Sequence, residues 1–316
     1  MQLKLDLKIE STLENLILEE TKLRLECRAA LTRRGYAYDW KAFETWCRSV
    51  NRPSFPATIQ TVCSFVTDQL ARGYKVSSTQ RRLQGVLHTL REQGFPLDPQ
   101  ANYAKMILSG AQRLRCEQPR QMTPLTPEHI AAISGKLIAE GTPYAIRNRC
   151  IIALGFASAL RRSTLSMLTL SDITFSSAGM LIRVRKEKQD QEGKGRVIPI
   201  PGGTGLGCPC AALKAWIAIR TTAPGPLFVR LDPQHRGKLC AMTSDTVWRT
   251  VKASVQKIGL DPKSYGSHSL RAGFITEALS RGIGEVRVAN HSGHRSLDTL
   301  RRYFRPVDPF RTAIGL

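Results

Sequence analysis

Residues 117–127 read Glu-Gln-Pro-Arg-Gln-Met-Thr-Pro-Leu-Thr-Pro, and three prolines in so short a stretch keep any helix or central strand from running through it. A single continuous element across the chain is therefore excluded. Cutting 316 residues at this place leaves two pieces, each long enough to bury its own core. We place a first domain at 1–116, a linker at 117–126 and a second domain at 127–316.

The two pieces differ in hydrophobic period. In the first, apolar residues recur at helical spacing across 12–50, with Leu13, Leu16, Leu18, Tyr36, Trp40, Phe43 and Trp46. Pro53 and Pro56 punctuate, a second amphipathic stretch covers 57–72, and Gly73 ends it. Ser77 or Ser78 is placed to cap a third helix, with Leu83, Val86, Leu87 and Leu90 on one face and Gly94 past its end. A fourth helix is expected over 101–115. The second piece begins with helical runs at 127–140 and 145–170. The period then drops to two. Residues 179–185 alternate apolar and basic side chains, 196–201 form a second β-like piece, and a polar, Gly-containing turn joins them as a hairpin. Helical pattern resumes at 211–221, 243–258, 269–281 and 296–304. The fold class expected is mainly α with a small β-sheet (α+β).

Charge narrows the partner. Lys and Arg number 47 against 25 Asp and Glu, a formal +22 at neutral pH. Such an excess favours a polyanion, because each neutralised phosphate releases condensed counterions. No apolar stretch approaches the ~20 residues that span a bilayer, and the N-terminus interleaves charges instead of forming a signal peptide, so nucleic acid is preferred over a membrane. The eight cysteines form no tight framework and read as free thiols of a reducing cytoplasm. Cys208-Pro209-Cys210 has no companion pair or nearby His, so no metal site is expected.

Four segments of the second domain group basic, imidazole and phenol side chains. Arg161 stands in ASALRRSTLSML and Lys188 in RKEKQDQEGKG, after the first hairpin strand. His268 and Arg271 stand in GSHSLRAGF, three apart and hence on one helix face. His294 and Tyr303 stand nine apart in SGHRSLDTLRRYF. Singly, each has a plain structural reading. Arg161 with Arg162 could be a solvated helix face, either His a satisfied core residue, and Tyr303 a packing aromatic. Lys186, Lys194 and Arg196 compete with Lys188.

Taken in order, these segments resemble the tyrosine recombinases, or phage integrases, particularly the Cre-like and Xer-like members. Their pattern is an Arg in a G-L-R-x-S-E-L-like helix, a Lys on a β-hairpin, H-x-x-R, then L-G-H with a Tyr nine residues on. Here stand ALRRSTL, a hairpin Lys in KQDQEG, HSLR, and SGH followed by Tyr303. The resemblance covers nearly the whole chain, with WKAFETWC and the helix from Ser77 looking like parts of the family's helical core-binding domain.

The resemblance implies a core-binding domain and a catalytic domain closing as a C-shaped clamp around double-stranded DNA carrying a specific recombination site. It implies that Tyr303 attacks a backbone phosphate to form a 3′-phosphotyrosine. A free phenol, with a pKa of about 10, needs a proton acceptor for this, and His268 is the candidate. The five-coordinate transition state gathers charge on the non-bridging oxygens, which the forked guanidiniums of Arg161 and Arg271 suit. His294 would hydrogen-bond one of these oxygens, and Lys188 would protonate the leaving 5′ oxygen. Bond energy is conserved, so neither metal nor nucleotide cofactor is required. Arg33, Arg34, Lys41, Arg81 and Arg82 would face DNA. The implied assembly is a homo-tetramer on DNA, a monomer or weak oligomer when free, exchanging strands through a Holliday junction in a cytoplasmic setting (bacterial nucleoid, or phage- or plasmid-encoded). The apolar tail after Tyr303 would dock on a neighbouring subunit or fold back. Where the family usually has an acid three positions after the first Arg, this chain has Thr164. Two alternatives stand beside recombination: a type IB topoisomerase-like nicking and resealing enzyme, and a catalytically impaired DNA-binding protein on the same fold.

Overall fold

In a computed structural model the chain divides into two compact units, Met1–Pro119 and Arg120–Leu316. The structure describes residues 13–26, 30–97, 101–116, 121–185, 195–220, 222–231 and 237–303.

The first unit is helical. Its elements are α1 (Leu13–Glu26), α2 (Ala30–Ser49), α3 (Ile59–Ala71), α4 (Val76–Glu92) and α5 (Ala101–Arg115). Thr58 caps α3 by accepting the Thr61 amide at 3.2 Å. The third helix starts earlier than its serines suggested: α4 opens at Val76 behind Lys75, with no side-chain cap. Val76 is buried, and that packing replaces the missing cap. Phe43, Phe65, Leu83, Val86 and Leu90 form the centre of the core, Phe43 and Phe65 meeting edge to face at 5.2 Å. α2 lies against α4 at Gly85, where a Cβ would come within 2.7 Å of the Asp39 side chain.

The second unit opens with α6 (Pro127–Glu140) and α7 (Pro143–Ser158). Thr126 and Pro127 start α6 and Gly141 ends it in the left-handed region, an arrangement read directly from residue type. The segment ahead of α6 does not hang free. Leu125 is fully buried, and the Thr123 and Leu125 amides donate to the carbonyls of Ser264 and Ser269, each at 3.0 Å.

The run expected to be helical over 145–170 is broken. Ala159 adopts φ 51°, and the chain restarts as α8 (Arg162–Met167), followed by a 3-10 turn at Leu170–Asp172. A left-handed alanine costs about 1 kcal/mol and needs compensation. Part of that compensation is the guanidinium of Arg271, which donates to the Ala159 carbonyl.

Three antiparallel strands follow, β1 (Ile173–Ser176), β2 (Gly179–Val184) and β3 (Arg196–Pro201), in the order β1-β2-β3. The expected hairpin is β2–β3, with Met180 opposite Ile200 and Ile182 opposite Ile198. These four side chains are buried while Leu181 and Arg183 face out, as the alternation required. β1 was too short to stand out in the pattern. Then come α9 (Pro209–Arg220), a small antiparallel pair of β4 (Val229–Leu231) and β5 (Gly237–Ala241), and α10 (Ser244–Gln256), α11 (Ser267–Ser280), α12 (Glu285–Ser292) and α13 (Leu297–Arg301). The sheet, α7 and α9 share one core around Trp216, Ile182 and Phe228. Gly273 on α11 lets the entering segment pass: a Cβ there would lie 1.8 Å from the Leu125 carbonyl oxygen. Among the described residues no helix is long and apolar enough to cross a membrane.

Candidate active site

The arrangement is organised by a buried cation. Arg271 on α11 is 1% exposed. Its Nη1 donates to Ala159 O at 2.7 Å and to Ser292 O at 2.5 Å, tying the α7–α8 turn to the C-terminal end of α12. Its Nη2 lies 3.0 Å from His294 Nε2 and 3.1 Å from Nδ1. The left-handed turn at Ala159 makes Arg161 the residue that opens α8, half-buried beside this cluster.

Tyr303 closes the other side. Its hydroxyl oxygen is 2.5 Å from His268 Nε2, and its ring stands 5.4 Å, edge on, from the His294 ring. The Tyr303 backbone is located by Thr276 of α11, whose hydroxyl donates to its carbonyl at 3.3 Å. Five of the six residues expected to do chemistry, Arg161, His268, Arg271, His294 and Tyr303, therefore converge. Lys188 and its competitors Lys186 and Lys194 lie outside the described residues, as does the tail 304–316. The residues on either side of 186–194 are held. Arg185 Nε donates to Asp172 Oδ1 at 2.6 Å, and Arg196 Nη1 donates to the carbonyls of Asn290 and His291.

Electrostatics keep both imidazoles neutral. His268 retains an exposed edge, yet the protein packed around it, and secondarily Arg271 and Arg161, lower its pKa below the ordinary value of about 6.5. Burial, reinforced by Arg271, Arg161, His268 and Arg196, pulls His294 down to about 3. A neutral His268 against a phenol can take a proton, whereas a charged one could not.

Three residues escaped the sequence reading as members of this region. His291 stacks on Phe274 at 4.4 Å and its Nε2 is 2.8 Å from Ala157 O, bracing the helix that leads into Ala159. Arg196, weighed only as a rival of Lys188, shares a cavity of about 580 Å³ with His294, Arg287 and Arg295. Trp248 shares a second cavity, of about 370 Å³, with Arg161 and His268. Aromatic and basic residues at these places carried no local signal. Thr164 is buried within α8.

Among the described residues no group of three or more His, Cys, Asp or Glu side chains is placed to hold a metal ion. Cys208 and Cys210 are buried free thiols beneath β3.

In the first unit the residues expected to face DNA sit on two helices. Arg34 and Lys41 are exposed on α2 and Arg33 is half-buried there. On α4, Arg81 pairs with buried Asp39 at 2.5 Å. Burial raises the Asp39 pKa, and the Arg81 guanidinium opposes the rise. Arg82 donates to Gln69 and lies 4.2 Å over the Tyr74 ring. Lys41 and Arg82 line one cavity of about 570 Å³ with Tyr38, Trp46 and Arg72. Arg81 and Arg82 are thus presented in fixed geometry.

Residues 124–308 match the model of the phage integrase family. The chain is 29% identical over 299 residues to an integrase/recombinase xerD homolog of Selenomonas ruminantium, covering 92% of this chain and 86% of that protein. It is 29% identical over 300 residues to the tyrosine recombinase XerA of Pyrococcus furiosus, covering 94% and 91% respectively. Its fold is like that of the Tn1549 transposon integrase solved in complex with transposon right-end DNA, with a TM-score of 0.63 at 17% identity over 93% of this chain and 95% of that one.

Proposed function

Because this chain belongs to the phage integrase family of tyrosine recombinases, we propose that it is a site-specific DNA recombinase that cuts and rejoins strands through Tyr303. The observation that carries the reading is the 2.5 Å approach of the Tyr303 hydroxyl to His268, whose pKa burial and the neighbouring Arg271 and Arg161 lower, beside His294. The Tyr303 oxygen attacks the phosphorus and passes its proton to His268. The bond from phosphorus to the 5′ oxygen breaks, and Lys188 supplies that oxygen with a proton. The product is a 3′-phosphotyrosine and a free 5′ hydroxyl. The reverse attack by a 5′ hydroxyl from another duplex reseals the strand. The two guanidiniums stabilise the charge that gathers on the non-bridging oxygens.

The proposal extends to assembly. A homo-tetramer on double-stranded DNA bearing a specific site would exchange strands in pairs through a Holliday junction. The relatives named integrase and recombinase support this over topoisomerase-like nicking and resealing. The first unit would act as a core-binding domain through Arg33, Arg34, Lys41, Arg81 and Arg82, with Arg81 and Arg82 held ready by Asp39, Gln69 and Tyr74.

Covalent trapping tests the reading. The protein is incubated with duplex DNA from the neighbourhood of its own gene, in chelator, then denatured and resolved on a gel. A DNA-linked band is expected that disappears in Tyr303→Phe while DNA affinity stays within a few-fold. A band that persists in Tyr303→Phe removes Tyr303 as nucleophile. Tight binding without any band moves the chain to the impaired DNA-binding class.

A further inference from the structure

The family pattern has Leu two residues before the second site histidine, and this chain has Ser292 there, fully buried. Its hydroxyl oxygen lies 2.6 Å from Val288 O and 2.8 Å from His294 Nδ1. A carbonyl oxygen cannot donate, and two oxygens 2.6 Å apart without a proton between them would repel, so the one hydroxyl proton is committed to Val288 O. Ser292 Oγ can then only accept from the imidazole.

We propose that Ser292 is a positioning residue that holds His294 in the Nδ1–H tautomer, so that seating the scissile phosphate requires His294 to take up one proton at Nε2. This rests on the recombinase reading of the site. The geometry around the ring explains the requirement. With Nδ1–H given to Ser292, Nε2 is left bare, and the Arg271 Nη2 cation stands 3.0 Å from it. A bare nitrogen cannot donate to a phosphoryl oxygen. When a phosphate enters, its oxygen becomes the acceptor for both Arg271 and His294, and Nε2 must gain a proton from solvent to donate. Without the Ser292 acceptor the ring has another option. Nη2 is almost equally close to Nδ1, at 3.1 Å, so its charge favours neither nitrogen, and a ring freed of the Ser292 acceptor can stay neutral with Nε2–H directed at phosphate. The residue at 292 thus selects between a site that consumes a proton on engagement and one that does not.

Among the described residues the charged and titratable groups facing His294 are Arg271 and His268 of α11, Arg161 of the α7–α8 turn, Arg196 of β3, His291 of α12 and Tyr303 beyond α13. Arg287 and Arg295 line the cavity it shares with Arg196. Substitution at 292 leaves all of these in place. A ratio of wild-type to variant rates therefore cancels titrations common to both proteins.

The full chain is labelled with ¹⁵N at its histidines, and the His294 signals are assigned by their loss in His294→Gln. The wild type is expected to show Nδ1 protonated and Nε2 bare near neutral pH. Ser292→Cys, which keeps the shape but removes the strong acceptor, and Ser292→Ala are expected to show the reverse. An Nε2–H signature in the wild type overturns the proposal even if both variants fail to fold. The second readout is the rate of covalent capture on the duplex found by trapping. The wild-type to Ser292→Cys ratio is expected to fall as pH rises from about 6.5 to 8.5, by up to about tenfold per pH unit. A ratio that is constant with pH marks a purely structural role and also overturns the proposal. Failure of the recombinase reading looks different, as capture independent of Tyr303 or no capture at all. The nitrogen signature then decides the tautomer alone.

Discussion

In each unit of the molecule a buried charged residue anchors a polar cluster, Arg271 in the second and Asp39 in the first, and the two are used in opposite ways. In the second unit Arg271 is 1% exposed and turns its guanidinium inward, onto the Ala159 and Ser292 carbonyls and the His294 ring. Its charge stays fixed and lowers the pKa of both neighbouring imidazoles. In the first unit Asp39 is fully buried and reaches outward to Arg81, whose side chain is 54% exposed. There the buried group itself yields, its pKa raised by desolvation. A buried guanidinium cannot readily shed its proton, so the surroundings adjust to it. A buried carboxyl can take one, so it tolerates its place by pairing with a surface cation. The first arrangement fixes the geometry of the candidate site and the second steadies a cation at the surface.

The comparison breaks most sharply at Arg271→Lys. An ammonium cannot span two carbonyls and an imidazole as the planar fork does. Covalent capture is expected to fall by about a hundredfold or more, the scale of ~3 kcal/mol for losing one donor to developing charge. Near-normal capture would show that charge alone, without the fork, organises the site. Next in size is Gly273→Ala, on the same helix. Its new methyl would meet the Leu125 carbonyl at 1.8 Å, and overpacking of that kind costs about 1–3 kcal/mol. Thermal unfolding should show a lowered midpoint, and an unchanged one would mean the segment at 125 yields freely. The smallest effects belong to the first unit. Arg81→Ala should weaken DNA binding a few-fold and reduce the slope of log affinity against log salt by about one, without altering the rate of capture once bound. Asp39→Asn should mimic it in affinity while leaving thermal stability intact, because ionising a carboxyl whose pKa is raised costs the folded state free energy above its unfolded pKa. A large loss of stability in Asp39→Asn would mean Asp39 organises its unit as Arg271 does.

Much of this was legible before any coordinates. The five converging residues were named because their segments, taken in order, resemble the tyrosine recombinases, and the β2–β3 hairpin followed from period-two alternation flanked by a Gly-containing turn. The hairpin signal is local, and the site signal is a set of short motifs. What escaped depends on partners far away in sequence. The apolar run through Ala159 reads as continuous helix, since nothing nearby shows that Arg271, over a hundred residues on, takes the Ala159 carbonyl. Nothing beside Asp39 in the sequence shows that Gly85 brings α4 against it. The linker expected over 117–126 includes one fully buried leucine, Leu125, which the prolines around it disguise. β1, β4 and β5, at four, three and five residues, are too short for a two-residue alternation to stand out.

The staple at Thr123 and Leu125 also has a mechanical meaning. The polypeptide entering the second unit is pinned to the Ser264 and Ser269 carbonyls before α6 begins. Ser269 is the immediate neighbour of His268 and lies two residues before Arg271 on α11. A pull on the chain at this entrance therefore bears on two hydrogen bonds in series with the first turn of α11. Tension along the backbone arrives at the helix that carries both groups before it reaches the rest of the unit.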